Sequence, residues 1–236
     1  MGGPLGLPLF VFGLVSLTAR ERTLPLVLLA ETRGSLTRCE APVRMVGPDP
    51  VVVERELLAG MLDCPTCKGV LRPWGFAVPR MLRGRAGGVR LRPRRSICAG
   101  CGGTHVLLPV ACLLRRVDLA VVIGTALLAK QRGAGHRRIA AELGLPATTV
   151  RGWLRRFAAR AELIRAHFTM LALALDASLP GIEPRGSPTA DALEAVGVAA
   201  RAATRRFGPA SVWQFAAGAT GGRLLGNTSS PFPAVW

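Results

Sequence analysis

Four of the six cysteines fall in two tight pairs, Cys64-Pro65-Thr66-Cys67 and Cys98-Ala99-Gly100-Cys101. Two residues between cysteines let both thiolates point at one centre from a tight turn. Two such pairs offer four soft ligands in a tetrahedron, the arrangement of a closed structural zinc site. Glycines follow each pair, Gly69 and Gly102-Gly103, and are expected to supply the positive φ that such turns need. A single pair near a βαβ pattern would suggest redox chemistry instead. Two pairs in a basic, hairpin-like block favour Zn2+ held by Cys64, Cys67, Cys98 and Cys101. Four cysteines leave no open position for water, so this zinc is expected to be structural and not catalytic. His105 is a substitute ligand on paper, but a strand residue beside the turn is the simpler reading. Neither pair is followed directly by His, so haem attachment is not indicated. Cys39 reads as an unpaired surface thiol and Cys112 as a small buried apolar residue.

The pairs are separated by 30 residues, longer than the commonest spacing. That length suits a zinc ribbon, in which each turn caps a β-hairpin. Between the pairs, VRLRPRR (89–95) alternates Val89 and Leu91 with Arg90 and Arg92, a strand with one apolar and one basic face. Residues 64–101 hold nine basic residues and no Asp or Glu. The arginines at 72, 80, 83, 85, 90, 92, 94 and 95 are therefore expected to meet phosphates. A merely solvated basic surface is the plainer alternative, and the absence of acid weighs against it.

The second informative stretch is HRRIAAELGLPATTVRGWLRR (136–156). Ile139 and Leu143 sit four apart on one helix face, and Ala140 is small enough for a close crossing. Gly144 can take the left-handed conformation that ends the helix, Leu145 plugs the turn, and Pro146 pre-sets the next helix. Val150, Trp153, Leu154 and Phe157 then form a core-facing stripe. The opposite face carries Thr148, Gly152 and Arg155, flanked by Arg151 and Arg156. This is the pattern of a helix-turn-helix whose second helix meets the major groove. Arg151 and Arg155 are assigned to base edges or nearby phosphates, and Thr148 and Thr149, at the helix N-terminus, to phosphate or a thymine methyl. His136, Arg137, Arg138, Arg156 and Arg160 are assigned to the DNA backbone. Gly152 would let the helix approach DNA closely. An ordinary amphipathic pair is the competing reading.

Other elements must position these two groups. Residues 51–61 read as a short strand or helix. An apolar helix over 118–132 buries Leu119, Val122, Ile123, Ala126 and Leu127 and supplies the third helix. The helix of 147–160 runs on to about 175, and LPGIEPRGSP (179–188) breaks it. Another helix spans about 190–207 and stops at Gly208-Pro209. The tail from Ala216 reads as irregular. Phe157, Ile164, Phe168, Leu171 and Leu175, and then Leu193, Val196, Ala200, Ala203 and Phe207, favour two helices packed within the chain. A homodimer matching a two-fold operator is the alternative use of the same faces.

The expected organisation is a poorly ordered N-terminal extension (1–44), a zinc ribbon (45–112), a helix-turn-helix domain (113–178), and a C-terminal helix with an irregular tail (179–236). The fold class is mainly α with a small β zinc ribbon, followed by a three-helix helix-turn-helix domain and C-terminal helices. MGGPLGLPLFVFGLVSL is apolar, but no basic residue precedes it, and it is short and broken for a membrane span. No membrane association is expected. The whole chain of 236 residues carries a net charge of +17, from 31 basic and 14 acidic residues. Only Lys68 and Lys130 are lysines, so the charge is nearly all arginine, which binds phosphate bidentately and stacks on flat groups. Coding bias toward GC accounts for part of this composition, but not for arginines gathered on one face.

CPTCKG, RPRRSICAGCGGTHVLLP and GHRRIAAELGLPATTVRGWLRRF resemble, in that order, a family of small actinobacterial proteins of unknown function that join a zinc ribbon to a helix-turn-helix. The order is also similar to the N-terminal DNA-binding part of insertion-element transposases. The resemblance covers about 64–160 and implies zinc binding and double-stranded DNA as partner. Transposases carry three separated carboxylates on an RNase H-like sheet. Here Glu162, Asp176, Glu183, Asp191 and Glu194 fall in helical or loop sequence with no alternating strands. Strand transfer is therefore not expected, and no phosphate-cradling loop, nucleophile elbow or hydrolase motif is present. The reading is a cytoplasmic, nucleoid-associated DNA-binding protein without enzymatic activity or a small-molecule substrate, a transcriptional regulator or mobile-element accessory. The alternatives are a degenerate transposase-derived protein and an RNA- or protein-binding ribbon.

Overall fold

A computed structural model of the chain describes residues 43–226. The expected N-terminal extension and Cys39 lie outside the described residues, apart from Val43 and Arg44. These two open the first strand, β1 (Val43–Val46), so the boundary expected after residue 44 falls inside it.

Residues 51–61 resolve as a helix, α1 (Pro50–Leu58). Its three successive valines would suit a strand, but the start signal prevails. The Asp49 carboxylate accepts the Val51 N–H at 2.8 Å, and Pro50 occupies the first turn, where its missing N–H costs nothing. Val53 and Leu57, four apart, are its buried residues. Five more strands follow: β2 (Leu71–Phe76), β3 (Arg80–Gly84), β4 (Gly87–Leu91), β5 (Arg94–Cys98) and β6 (Thr104–Pro109). Four strands form one sheet in the order β1-β6-β5-β2, while β3 and β4 make a separate hairpin. β1 runs parallel to β6, and the other pairs are antiparallel. The strand expected over 89–95 is divided in two, because Pro93 has no N–H to give a ladder. Its apolar face is only partly covered, with Val89 exposed and Leu91 half-buried. Val46, Val53, Leu57, Leu62, Leu71 and Leu107 form a small core that also takes in Cys64 and Cys98.

The rest of the described chain is helical: α2 (Ala120–Gln131), α3 (His136–Leu143), α4 (Ala147–Ala158), α5 (Ala161–Leu175), α6 (Pro188–Phe207) and α7 (Val212–Ala219). With seven helices and six strands described, the architecture is mixed α/β. In α2, Val122, Ile123, Ala126 and Leu127 are buried as expected, whereas Leu119 is half-buried and caps the helix. α4 does not run on to 175. It stops at Ala158, and α5 starts at Ala161. No Gly or Pro marks this break. It lets Phe157, Ala161, Ile164 and Phe168 all enter one core, a tertiary demand that local propensity does not report. α5 and α6 make the most extensive helix pair. The alanines of α6 at 192, 195, 199 and 202 are buried and allow the axes to approach, so the expected packing within the chain is found. α6 begins with Ser187 accepting the Ala190 N–H at 3.3 Å.

The tail expected to be mostly irregular from Ala216 is helical as far as Ala219, and residues 220–226 form turns. α7 places Trp213 against α2 at Gly124, where an added Cβ would lie 2.0 Å from the indole. Ala216 and Ala217 are buried with it, as are Leu224 and Leu225 beyond the helix. The Gly- and Thr-rich residues after Ala219 form turns, and α7 itself is held by its burial against α2. The β3–β4 hairpin joins the main core through buried Leu82 and is tied at Arg83 to the segment that leads into α2. The Arg83 backbone bonds across to Val117 and Leu119, and its guanidinium donates twice to Asp118, at 2.7 and 3.0 Å. No helix among the described residues is long and apolar enough to cross a membrane.

Candidate metal centre and basic surfaces

The two cysteine turns have nearly the same backbone. In the first, the Cys64 N–H donates to the Gly69 carbonyl at 2.7 Å, and the Lys68 N–H to the Cys64 carbonyl at 3.0 Å. In the second, the Cys98 N–H donates to Gly103 at 2.9 Å, and the Gly102 N–H to Cys98 at 3.0 Å. The first turn joins the Leu62–Asp63 segment to β2, and the second joins β5 to β6. Folding of the sheet thereby brings the pairs together. The four sulfurs of Cys64, Cys67, Cys98 and Cys101 all lie within 4.8 Å of one another. Cys67 and Cys98 are 3.4 Å apart, and Cys64 and Cys101 are 3.9 Å apart. Among the described residues this is the only gathering of three or more metal-capable side chains.

Positive φ does not fall where the sequence suggested in the first turn. Lys68, not Gly69, takes φ 62°, matched by Gly102 at φ 70° in the second. Gly69 is needed for space. A Cβ there would meet the Cys98 sulfur at 3.0 Å and the Cys67 sulfur at 3.3 Å. Backbone N–H groups also point at sulfur, from Thr66 to Cys64 at 3.4 Å and from Gly100 to Cys98 at 3.3 Å. The Cys101 N–H is the main reason the Cys98 thiol falls to about 6. The Gly69 N–H favours the Cys67 thiolate, but hydrogen bonding with Cys98 and Cys101 outweighs it and pushes Cys67 up to about 12. Four thiolates this close repel one another unless a cation lies between them. The donor set therefore fits a metal ion. His105 is buried on β6 with Nε2 at 3.3 Å from the Cys64 sulfur, a neighbour of the cluster as expected. Cys112 is buried, and burial raises its thiol pKa.

The arginines of the basic block divide by partner. Arg83 is bound to buried Asp118. Arg94 donates twice to Glu54, at 2.8 and 3.0 Å, and once to the Gly75 carbonyl. These two hold the fold and are not open phosphate contacts. Arg80 and Arg95 are half-buried, while Arg72, Arg85, Arg90 and Arg92 are exposed. Acidic partners outside residues 64–101, invisible to a local count, claimed the first two.

The second basic surface lies on α3 and α4. Gly144, at φ 63°, caps α3 with its N–H on Ala141 at 3.2 Å, and the Leu145 N–H reaches Ala140 at 2.9 Å. Ile139 and Ala140 of α3, and Val150, Trp153 and Phe157 of α4, are buried, while Leu143 and Leu154 are half-buried. Outward, Arg137, Arg151, Arg155 and Thr148 are exposed, and Thr149, Gly152 and Arg156 are half-buried. Arg138 pairs with Glu142 at 2.9 Å along α3. A Cβ on Gly152 would meet only the Arg156 guanidinium, at 3.0 Å. Arg156 in turn approaches Arg116, whose pKa is lowered by burial and then by the Arg156 charge. Arg160 is half-buried, and its guanidinium donates to the Gly226 carbonyl. Among the carboxylates noted after residue 160, Glu162 pairs with Arg165, Asp176 with Arg205, and Glu194 with Arg185 and Arg201. The Asp191 carboxylate accepts the Arg185 backbone N–H at 2.5 Å.

No known protein family, curated protein or solved structure matches the chain.

Proposed function

We propose that the chain is a sequence-specific binder of duplex DNA, a transcriptional regulator or mobile-element accessory acting on the nucleoid. In this reading α2, α3 and α4 form a helix-turn-helix, and the four-cysteine sheet is a ribbon held by structural Zn2+. The outer face of α4 carries the proposal: Thr148, Arg151 and Arg155 project from a helix whose other side is locked into the core. Neither Arg151 nor Arg155 meets an acidic partner among the described residues, so both guanidiniums are free for base edges or phosphates. The N-termini of α3 and α4 lack side-chain caps. Their unpaired N–H groups, beside Arg137 on α3 and Thr148 on α4, suit phosphate. Gly152 leaves room for close approach to the groove. In the ribbon, zinc would replace repulsion among the thiolates with four bonds, and His105 would donate Nε2–H to the Cys64 sulfur, a supporting contact to a ligand.

Arg155→Ala is expected to change the sequence preference of binding, a loss of about 1–3 kcal/mol at one base position. Arg90→Ala on the hairpin is expected to weaken binding equally for all sequences and to reduce its salt dependence. Competition titrations over a panel of duplex variants read both. The same uniform loss from both substitutions would contradict the assignment of α4 to base readout.

A further inference from the structure

We infer that the open edge of the small sheet, around Trp74 and Phe76 of β2, stacks unpaired bases of single-stranded DNA at a site separate from α4. β2 pairs only with β5, and every residue after Leu71 is exposed. Trp74 is 54 % exposed and Phe76 is 49 % exposed. Two large rings left on the surface within three residues mark a contact surface.

The backbone presents them deliberately. Pro73 faces Ser96 and Phe76 faces Arg94, so Trp74 and Gly75 together oppose Arg95 in a bulge. Gly75 takes φ 99° with nothing near its absent Cβ, so glycine is there for the turn of the chain and not for space. The bulge and Pro73 spoil the edge for an added strand, which argues against a β-pairing protein partner. The charge argues for a polyanion. The Arg92 and Arg94 guanidiniums both lie over the Phe76 ring, 4.4 and 4.6 Å from its centre, so Phe76 seats the cations and Trp74 is the ring left open to a base. Arg94 is further fixed by Glu54 and the Gly75 carbonyl, whereas Arg92 is exposed, and Arg72 precedes on the same strand. An open indole for base faces, beside cations seated on Phe76 for phosphates, supplies the two parts of a single-strand site. No residue of α4 takes part.

The test uses the full zinc-loaded chain and fluorescence anisotropy with an oligothymidine of about 12 nucleotides, within the span of one such site. An abasic backbone of equal length is the comparison. The oligothymidine is expected to bind about tenfold more tightly than the abasic strand, a preference that Trp74→Ala removes and Trp74→Phe largely keeps. The Arg151→Ala/Arg155→Ala double variant is expected to lose duplex binding and keep the oligothymidine, so failure of the duplex reading leaves this one standing. In the unmutated chain, an iodouracil strand is expected to crosslink at residues 74–76. Equal affinity for the abasic strand, crosslinks confined to α4, or a Trp74→Ala variant that loses only self-association would each overturn the proposal.

Discussion

Gly152 and Gly69 are two glycines whose surroundings give opposite expectations for an added methyl, open at one and crowded by sulfur at the other. A glycine in the middle of α4 costs about 1 kcal/mol against alanine, and no core atom requires it, since only the Arg156 side chain lies near. Gly152→Ala is therefore expected to raise thermal stability by up to about 1 kcal/mol while weakening duplex binding. A melting curve beside a binding titration shows the opposite signs; a stabilised variant with unchanged affinity would remove the close-approach role. Gly69→Ala pushes a methyl against the Cys98 sulfur. It is expected to cost about 1–3 kcal/mol as overpacking and to speed metal release to a chromogenic chelator. At this scale the sequence was most legible in the cysteines, because ligand type and spacing are local. Lys68 was not legible, since nothing about a lysine announces a left-handed backbone. Nor were Arg83 and Arg94, whose carboxylate partners lie 35 and 40 residues away.

Helices were legible where their ends carry chemistry. Gly144 and Pro146 define the α3–α4 turn, Ser187 starts α6, and Gly208 ends it. The division between α4 and α5 carries no such mark, and α7 is a short apolar run (VWQFAAGA) followed at once by Gly- and Thr-rich sequence. Both are products of packing, and a clue to the docking of α7 was Gly124, a glycine on the buried side of α2. Gly124→Ala is expected to destabilise the chain by about 3 kcal/mol, because the Trp213 indole must move; Trp213→Leu in the same chain should relieve part of that loss. A Gly124→Ala variant that melts like the parent would mean α7 is not docked there. The parallel pairing of β1 with β6 was also beyond local reading, since the partners are distant in sequence. Asp118→Ala would free Arg83 and loosen the hairpin from the helices, seen as faster amide exchange in β3 and β4 with little change in α5 or α6.

Across the whole molecule, two basic surfaces face outward on two different supports. One is an arginine-bearing helix set on an apolar core, and the other is a small sheet closed by four sulfurs. The charge of +17 was plain from composition, but its direction was not. Part of it is spent internally, on Asp118, Glu54, Asp176, Glu194 and the Gly226 carbonyl. What remains open includes Arg137, Arg85 and Arg90 besides Arg151 and Arg155, so duplex affinity should fall with salt, and each removal of a phosphate-contacting arginine should reduce the slope by about 1. The most direct measurement is selection from random duplex DNA by the purified, zinc-loaded chain at physiological salt. Enrichment of a defined motif, lost in the Arg151→Ala/Arg155→Ala variant, is the expected result. Salt-sensitive binding with no enriched sequence would contradict it, and would leave α4 holding phosphates without reading bases.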